Sequence, residues 1–331
     1  MHTRPHKTFF PLVRRLSDGA FHSGQDLACE FGLSRASVFN ILGQAEKMGL
    51  CIHAVPGRGY RLPGRIDWLD CADILKQLGD EAGRFDVRVL DSVDSTNSAL
   101  MKAALEGAPN GTVIAAEHQF AGRGRRGRTW HATPGGSLTF SVLWRFDGGL
   151  QAIAGLSLAV GLAIARVVNR RSAHAAQLKW PNDLIVGYRK LAGVLIEVQG
   201  DLDGPSFAVV GVGLNVRLRD AQREGIDQAV IDLDEMGVAI DRNQLLADSL
   251  REMRVVVDAF GRQGFAAVRD DWCALDAYAG RPVSLELPGS PSVHGVAAGV
   301  DDNGAFLLRG ADGALHAYHG GEISLRLKAA R

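Results

Sequence analysis

Apolar residues recur at helical spacing near the start of the chain, and strand-like spacing follows. FFPLVRRLSDG predicts a helix that ends at Gly19. The next stretch predicts two helices joined by the turn FGLS, with Ser23 and Ser34 as N-caps. CIHAVPGRGYRL then predicts two short strands around a Pro-Gly turn. Because this order is helix, helix-turn-helix and hairpin, residues 1–64 are predicted to form a winged helix-turn-helix domain.

From Asp86 onward, the apolar pattern predicts a mixed α/β domain. Strands are predicted in RFDVRVLDSVDST, GTVIAAEHQF, GSLTFSVLWRF and SFAVVGVGLNV, and helices in SALMKAALEG and in the almost wholly apolar LQAIAGLSLAVGLAIARVVNRR. AQLKWPNDLIVGYRKLAGVLIEVQG predicts a strand, a loop, a hairpin and a further strand. With a helix before these elements and a helical tail after them, the central domain is predicted to span residues 66–274.

After Tyr278 the chain consists of short β-like runs that are separated by Gly and Asn-Gly turns. This pattern predicts a small β-barrel over residues 275–331. The predicted fold class is therefore α+β, with three domains.

Composition indicates a globular protein with balanced overall charge. Of the 331 residues 46% are hydrophobic, and 37 Lys and Arg balance 37 Asp and Glu. The longest apolar run, over 152–168, is broken by Gly155, Gly161 and Arg166, so we expect it to be too short to cross a bilayer. There is no signal-peptide core at the start, and four cysteines without CxxC spacing predict reduced thiols and no zinc site. These features predict a cytoplasmic protein without membrane association.

Charge is uneven along the chain. Residues 1–64 carry eight basic and four acidic side chains, an excess that the remaining residues offset. Such an excess suits contacts with DNA phosphates. In the recognition helix we expect Arg35, Ser37 and Asn40 to contact the groove, with Arg58 of the hairpin reaching a phosphate. A protein-interaction or dimerisation module is the alternative for the same domain.

HQFAGRGRRGRTW, residues 118–130, holds four arginines among glycines that are spaced G-x-G-x-x-G. In a dinucleotide-binding fold the third glycine opens a helix, whereas here Pro134 and two glycines lead into a strand. A dinucleotide-binding loop is therefore rejected. The Walker pattern is absent, which argues against a P-loop ATPase. A nucleic-acid patch and a solvated loop are alternatives. Glycines that let a loop open and guanidinium groups that bind carboxylates and phosphates favour a loop that orders around an anionic ligand.

Four further segments place polar groups at the ends of apolar runs. DSVDSTN, residues 91–97, offers hydroxyl and amide groups that can bind a polar ring or cap a helix. Asp183 in KWPNDL can contact Mg²⁺ or lie in an Asn-Asp turn. Lys190 in RKLAGVLIE can be a site residue or an exposed lysine at the start of a strand. Asn215 in GVGLNV can be a site residue or an amide in a turn.

The chain resembles the bifunctional, repressor-bearing biotin–protein ligases. The resemblance covers nearly the whole chain, in the same order, and rests on the winged helix, DSTN, GRGRRGRTW, KWPNDL, RKLAGVLIE, GVGLNV and the terminal GGEISLR. The resemblance implies a class II synthetase-like catalytic domain and an SH3-like C-terminal barrel. It implies activation of biotin by ATP and Mg²⁺ to biotinoyl-5′-AMP, and transfer of biotin to a lysine of a biotin carboxyl carrier protein. It also implies an adenylate-dependent homodimer that binds operator DNA and represses biotin-synthesis genes.

Matched position by position, the resemblance implies the residues of the site. The biotin-binding residues are Ser95, Thr96, Asn97, Gln119, Arg123, Gly124, Arg125 and Lys190, of which Arg125 and Lys190 are catalytic. The ATP-binding residues are Arg128, Trp130, Asn182, Asp183 and Asn215, with Trp130 stacked on adenine and Asp183 as the metal ligand. Phe120 departs from the family pattern, in which a polar residue often precedes the Ala-Gly of the loop.

Two other functions stay open. A lipoate- or octanoate-transferring ligase shares the catalytic fold, and a transcription factor could sense biotin without catalysis. The winged helix and GRGRRG favour biotin over lipoate. Intact Arg125, Lys190 and Asp183 favour an enzyme over a sensor.

Overall fold

The computed structural model describes residues 4–64, 66–201, 203–286, 291–319 and 324–327. Its elements form a helical N-terminal unit, a central unit on a large mixed sheet, and a C-terminal antiparallel sheet. The ends of the first and last predicted domains extend beyond this range. Residues 320–323, which begin the motif GGEISLR, also lie outside the described residues.

The N-terminal unit has its helices and hairpin in the predicted order. Its elements in the described range are α1 (Phe9–Arg15), α2 (Gly24–Phe31), α3 (Arg35–Leu42), β1 (His53–Val55) and β2 (Gly59–Arg61). Both predicted N-caps are confirmed, because the Ser23 and Ser34 hydroxyls accept 3.0 Å bonds from the N–H groups of Asp26 and Ser37. The apolar faces of the helices meet in a core that is separate from the rest of the protein.

The central unit is built on a sheet that, as far as the chain is described, has seven strands. They are β3 (Asp86–Val93), β4 (Thr112–Gln119), β5 (Ser137–Phe146), β6 (Gln177–Lys179), β7 (Asp183–Val186), β8 (Arg189–Gly200) and β9 (Ser206–Asn215), in the order β3-β4-β5-β9-β8-β7-β6. β3 and β4 run parallel, which requires the helical crossover that SALMKAALEG supplies. The other neighbouring pairs are antiparallel. The predicted strands are confirmed.

Six α-helices belong to the central unit in the described range. They are α4 (Cys71–Leu78), α5 (Thr96–Leu105), α6 (Leu156–Asn169), α7 (Asp220–Glu224), α8 (Arg242–Gln263) and α9 (Arg269–Ala274). Of these, α4, α5, α6 and α8 contact strands of this sheet. The long apolar helix is shorter than predicted, because a separate 3₁₀ turn covers Leu150–Ile153 and α6 begins after Gly155. The short helix α7 was not predicted from the pattern.

The segment Leu150–Asn169 is long and apolar enough to cross a membrane, by length and composition alone. The expectation that this run is too short for a span is therefore wrong. However, 67% of its most apolar window is buried inside the protein, and α6 contacts α8 and strands β6, β7 and β8. Burial in the core accounts for the hydropathy of this helix.

The C-terminal sheet has the strand order β13-β12-β11-β10-β14. Its strands are β10 (Pro282–Glu286), β11 (Val293–Val300), β12 (Phe306–Arg309), β13 (Leu315–Tyr318) and β14 (Ser324–Leu327). Within the described residues β13 and β14 each pair on one side, so closure into a barrel stays a prediction. The ring of Phe306 lies 5.4 Å from that of Trp180, whose Nε1 donates to the carbonyl of Gly304 at 3.0 Å. The C-terminal sheet thus supports the KWPNDL loop.

A buried ion pair holds the connector between the N-terminal and central units. Arg242 NH1 lies 2.9 Å from Glu117 Oε2, and the two side chains are 1% and 0% exposed. Glu117 Oε1 accepts from the N–H of Leu69 at 2.6 Å, and Asp67 accepts from the N–H of Arg242 at 2.7 Å. Since Glu117 lies near the end of β4, this pair positions the connector and the strand end together.

Candidate active site

One cavity of about 950 Å³ lies between the Gly-Arg loop and the central sheet. Parts of β8 and β9 and residues 179–183 and 225–229 form its wall, and Tyr278 reaches it from the C-terminal side. The lining includes every predicted biotin- and ATP-site residue except Asn215: Ser95, Thr96, Asn97, Gln119, Arg123, Gly124, Arg125, Arg128, Trp130, Asn182, Asp183 and Lys190. The fold therefore brings together residues from segments that are distant in sequence.

The Gly-Arg loop is a hairpin over residues 119–132, which we call the flap. The N–H of Trp130 donates to the carbonyl of Gly122 at 3.0 Å, and a Cβ on Gly122 would lie only 2.4 Å from the Trp130 carbonyl oxygen. Only glycine lets the two arms approach so closely. At the tip, Arg125–Gly127 form a 3₁₀ turn, and strand β5 follows the flap. With no helix after the third glycine, the rejection of a dinucleotide-binding loop is confirmed.

The flap brings positive charge to the cavity. Six cationic side chains and two carboxylates line the cavity. Arg125 NH1 donates to Asn182 Oδ1 at 3.2 Å. Burial lowers the pKa of Arg125, the neighbouring Arg126 and Arg128 lower it further, and Asp183 raises it. Arginine stays protonated under such shifts, so this part of the cavity attracts anions.

The opposite end of the cavity is polar and carries few charges. Gln119 Oε1 accepts from the N–H of Thr96 at 2.7 Å and from its hydroxyl at 3.1 Å. Ser141 Oγ of β5 lies 2.7 Å from Thr96 Oγ1 and 2.6 Å from Asn97 Oδ1. Ser95 occupies the N-cap position of α5, but its side chain makes no capping bond. The five side chains at this end are all buried: Ser95, Thr96, Asn97, Gln119 and Ser141.

Glu197 on β8 connects this polar end to the flap. Its Oε2 accepts from Asn97 Nδ2 at 2.9 Å and from Arg123 NH2 at 2.8 Å. Arg123 also donates to the hydroxyl of Ser98 at 3.0 Å. One arm of the flap is therefore tethered to the residues that enclose the polar end.

Sequence reasoning missed several residues of this site. Ser141 and Thr139 could have been found, because they alternate with apolar residues in the strand GSLTFSVLWRF. No local signal pairs Glu197 with an arginine 74 positions away. Residues 225–229 of the wall likewise follow an unpredicted helix and contain no recognisable motif.

Lys190 and Asp183 form a half-buried ion pair with 2.7 Å between Nζ and Oδ1. The backbone of Lys190 is held on both sides, since its N–H donates to Ala229 at 2.9 Å and its carbonyl accepts from Ile231 at 3.0 Å. Asn215 Nδ2 donates to the carbonyls of Lys190 and Ile231, both at 3.1 Å. Asn215 thus supports the wall behind Lys190 and does not line the cavity, so its contact with ATP stays a prediction.

Trp130 lies against β9 where Gly213 has no side chain. A Cβ on Gly213 would be 2.2 Å from Cε2 of the indole ring. Lys190 Nζ lies 5.9 Å from the centre of the same ring. Trp130 Nε1 and Thr139 Oγ1 are buried without a hydrogen-bond partner among the described residues. Because buried polar groups are normally paired, these two atoms are candidates for ligand contacts.

The cavity offers little that would hold a metal ion by itself. Among the described residues no three His, Cys, Asp or Glu side chains form a cluster. Mg²⁺ is usually bound by one or two carboxylates together with substrate phosphates. Asp183, with Asn182 beside it, fits that second arrangement.

The residues expected to contact DNA lie on one unit. Arg35 and Asn40 of α3 are exposed, and so is Arg58, whose guanidinium carbon lies 4.2 Å from the ring centre of Phe21. Ser37 differs from them, because it is half-buried and its Oγ lies 2.9 Å from Ser34 Oγ. The hydroxyl of Ser37 is thus hydrogen-bonded to the N-cap residue of α3.

Fold and cavity together define a ligase of the biotin and lipoate type. Residues 89–215 match the model of the biotin/lipoate A/B protein ligase family, and residues 278–326 match the biotin protein ligase C-terminal domain. A bifunctional ligase/repressor of Escherichia coli is 39% identical over 95% of this chain and 96% of that protein. A biotin–[acetyl-CoA-carboxylase] ligase of Paracoccus denitrificans is 36% identical over 68% of this chain and 95% of its own length.

A solved structure shows the same likeness in the fold. A biotin protein ligase from Aquifex aeolicus in complex with biotin and ATP superposes with a TM-score of 0.63 at 28% identity, over 73% of this chain and 99% of that one. The chain belongs to the biotin–protein ligase family.

Proposed function

We propose that this chain uses ATP to convert biotin to biotinoyl-5′-AMP and then transfers biotin to a lysine of a biotin carboxyl carrier protein. One observation carries this proposal: a single cavity holds a polar end around Thr96 and Gln119 and a cationic end at Arg125 and Lys190, beneath one flap. Its volume of about 950 Å³ is within the range of cavities that bury a small ligand.

Biotin would bind at the polar end. Its ureido ring carries two N–H donors and one carbonyl acceptor, which need a fixed set of partners. Thr96, Asn97 and Gln119 already form a rigid hydrogen-bonded network, with Ser95 beside it. The flap arm with Arg123 and Gly124, tethered through Glu197, would cover the ring.

The carboxylate of biotin would extend toward Arg125 and Lys190. In the first step a carboxylate oxygen attacks the α-phosphorus of ATP, and the bond to pyrophosphate breaks. Negative charge on the α-phosphoryl oxygens would then be stabilised by Arg125, which donates to Asn182, and by Lys190, which pairs with Asp183. In the second step the carrier lysine amine attacks the acyl carbon, and AMP leaves.

The flap would protect the intermediate, because a mixed anhydride hydrolyses if water reaches it. A second hollow of about 980 Å³ lies between the flap and residues 195–197 of β8, so the hairpin is not closely packed there. The arms can therefore open for entry of substrates and close over the adenylate.

ATP would lie beside Trp130. The indole ring, supported by Gly213, would stack on adenine, with Arg128 and Asn182 near the phosphates. Asp183 would contribute the protein ligand of a Mg²⁺ ion whose chemistry is to neutralise phosphate charge. Asn215 would contribute indirectly, because its side chain holds the backbone of Lys190 in place.

The N-terminal unit supports a second function, repression. We infer a winged helix-turn-helix over residues 1–64 that binds operator DNA of biotin-synthesis genes as an adenylate-favoured homodimer. The excess of basic residues in this unit and the repressor function named for the Escherichia coli relative support it. We infer likewise a class II synthetase-like catalytic domain over 66–274 and an SH3-like barrel over 275–331, in a cytoplasmic protein that does not associate with membranes.

A biotinylation assay with ATP, Mg²⁺ and a carrier domain tests the enzymatic proposal. Lys190→Ala is expected to lower the rate of adenylate formation about 10²- to 10³-fold, the usual effect of removing one transition-state stabiliser. Lys102→Ala, at a side chain 78% exposed on α5, is the matched control and should retain full activity. Unchanged activity of Lys190→Ala would contradict the assigned role.

The same assay separates the alternatives. With lipoate or octanoate in place of biotin, we expect no adenylate, whereas adenylate from those acids would identify the other branch of the family. A sensor without catalysis would bind biotin but release no pyrophosphate from ATP.

A further inference from the structure

Helix α3 exposes a large aromatic side chain that sequence reasoning passed over. Phe39 is 63% exposed, more than any other large hydrophobic residue in the described part of the chain. Burying such a ring stabilises a protein by about 2 kcal/mol. Single exposed apolar side chains are common on protein surfaces, so it is the position of Phe39 on the recognition helix, together with its exposure, that makes it a candidate contact.

Phe39 lies in the middle of a continuous face of α3. Arg35 and Ala36 are exposed one turn before it, and Asn40 and Gly43 are exposed beside and after it. The opposite side of α3, with Val38, Ile41 and Leu42, is buried in the core of the N-terminal unit. The exposed face therefore has Arg35 and Ala36 at its start, Phe39 at its centre and Gly43 at its end.

The surroundings of Phe39 suit nucleic acid better than an apolar protein surface. Residues 1–64 carry an excess of four positive charges, and Arg35 shares the face with Phe39. Arg58 on the hairpin is exposed and stacked on Phe21. A unit with an excess of positive charge and one exposed aromatic ring on its recognition helix suits the major groove, where phosphates flank the bases and the C5-methyl of thymine is the apolar group at the base edges.

We propose that Phe39 contacts the C5-methyl group of a thymine in the major groove of the operator. This inference rests on the proposed DNA-binding function and adds a base preference to it. Ala36, one turn away, is small enough to let the helix enter the groove closely. Arg35 and Asn40 are the residue types that pair with guanine and adenine, so the thymine would lie beside such bases.

A selection followed by methyl deletion tests the proposal. The full-length protein, with biotin, ATP and Mg²⁺, is used to enrich binding sites from a randomised DNA duplex library. In the enriched duplex each thymine is then replaced by deoxyuridine, one position at a time, and affinity is measured at fixed salt. At one position in each half-site, loss of the methyl is expected to weaken binding about three- to fivefold, since one buried methyl contributes about 0.8 kcal/mol.

Variants assign that effect to Phe39. Phe39→Ala should bind the enriched duplex about tenfold or more weakly, as for a lost base contact, and should no longer distinguish thymine from deoxyuridine. Phe39→Leu should retain part of the methyl preference. Leu105→Ala, at another exposed apolar residue, is the control and should bind as the unaltered protein does.

The outcomes separate the two claims. If no sequence is enriched, the DNA-binding function itself fails. If sequences are enriched but deoxyuridine substitution has no Phe39-dependent effect, this inference alone is overturned. It is also overturned if Phe39→Ala changes only self-association of the protein without DNA, because a second copy of the chain would then cover the ring. A far-UV circular dichroism spectrum and a thermal unfolding midpoint like those of the unaltered protein verify that the N-terminal unit of Phe39→Ala is folded.

Discussion

Gly213 has no side chain where the ring of Trp130 lies, and Gly211 has none where the amide of Asn97 lies. A Cβ would stand 2.2 Å from the indole ring in the first case and 2.2 Å from Asn97 Oδ1 in the second. Both glycines are on β9, a central strand whose backbone is held from both sides. The strand is therefore the floor of the cavity, and its missing side chains make room for the groups that would bind adenine and biotin.

Gly213→Ala, which adds a single methyl group, tests whether the missing side chain at this position makes room for the Trp130 ring. Displacing the indole is expected to raise the KM for ATP about tenfold or more, because stacking of a base on an aromatic ring contributes about 1–3 kcal/mol. The affinity for biotin, bound at the other end, should change much less. Gly261→Ala in α8 is the control, since nothing lies within 4 Å of its added methyl. Equal KM values for both variants would contradict the stacking role.

Among the elements, the flap has the most specialised structure. Its arms pair like a hairpin, its tip turns through Arg126 with a φ of 60°, and it is tethered to β8 by Arg123 and to the KWPNDL loop by Arg125. The two tethers contact opposite ends of the cavity, so closure of the flap would enclose both ends of the proposed ligand at once. Predicting an arginine loop for an anion was possible from composition, but predicting which arginine contacts which wall was not.

Arg125→Gly is expected to loosen the flap. Without the guanidinium group the contact to Asn182 is lost, and the adenylate should escape and biotinylate proteins other than the carrier. The measurement is the amount of free biotinoyl-AMP released per turnover and the labelling of a bystander protein. Arg126→Gly is the matched control, because it adds the same flexibility at a residue whose positive φ glycine accepts without strain. If Arg125→Gly released no more adenylate than the unaltered protein, the seal would lie elsewhere.

At the scale of the whole molecule, buried polar groups connect the three parts of the chain. The pair of Arg242 and Glu117 holds the N-terminal connector to the central unit. Asp276 lies at the junction with the C-terminal sheet: it is bridged to Leu178, and its Oδ1 accepts from the N–H of Tyr278 at 2.9 Å. Burial raises the pKa of Asp276 to about 6, although the bond from Tyr278 lowers it.

The pKa of Asp276 predicts how stability changes with pH. The folded protein binds this proton more tightly than the unfolded chain, whose carboxyl has the ordinary value of 3.8. The free energy of unfolding therefore falls as pH rises from about 4 to about 6, by an amount of roughly 3 kcal/mol or less. Asp276→Asn should consequently stabilise the protein at pH 8 and hardly at all at pH 4, as measured by chemical denaturation.

A control distinguishes this effect from general charge removal. Asp270 is 88% exposed, so Asp270→Asn should change stability little at either pH. Equal stabilisation by Asp276→Asn at pH 4 and pH 8 would show that the Asp276 carboxyl has an ordinary pKa.

The proposed repression would also be a property of the whole molecule, because ligand in the central unit would have to change what the N-terminal unit does. If the adenylate binds the dimer-forming state more tightly, it shifts the population toward that state. We expect dimeric and tighter operator binding with biotinoyl-AMP, measured by gel shift and sedimentation at one salt concentration. Identical DNA affinity with and without the adenylate would exclude this coupling.

Local patterns of residues were sufficient for the elements of the fold. Period-two and helical spacing placed β3, β4, β5, β8 and β9, and the serines Ser23 and Ser34 marked two helix starts. Where the pattern was ambiguous, the prediction was wrong. The run before α6 is mostly apolar, so hydropathy predicted one continuous helix, but the helix begins only after Gly155. The motifs GRGRRGRTW and KWPNDL are local too, and residues of both line the cavity.

Contacts between distant strands could not be obtained in this way. Glu197 contacts Arg123 because the fold brings β8 and the flap together. The motif GVGLNV placed Asn215 among the ligand-binding residues, whereas in the structure its side chain holds the backbone of Lys190. Residue chemistry and local spacing are encoded position by position along the chain. Which side chain faces the cavity depends on strand order and register, which arise when residues far apart pack into one core.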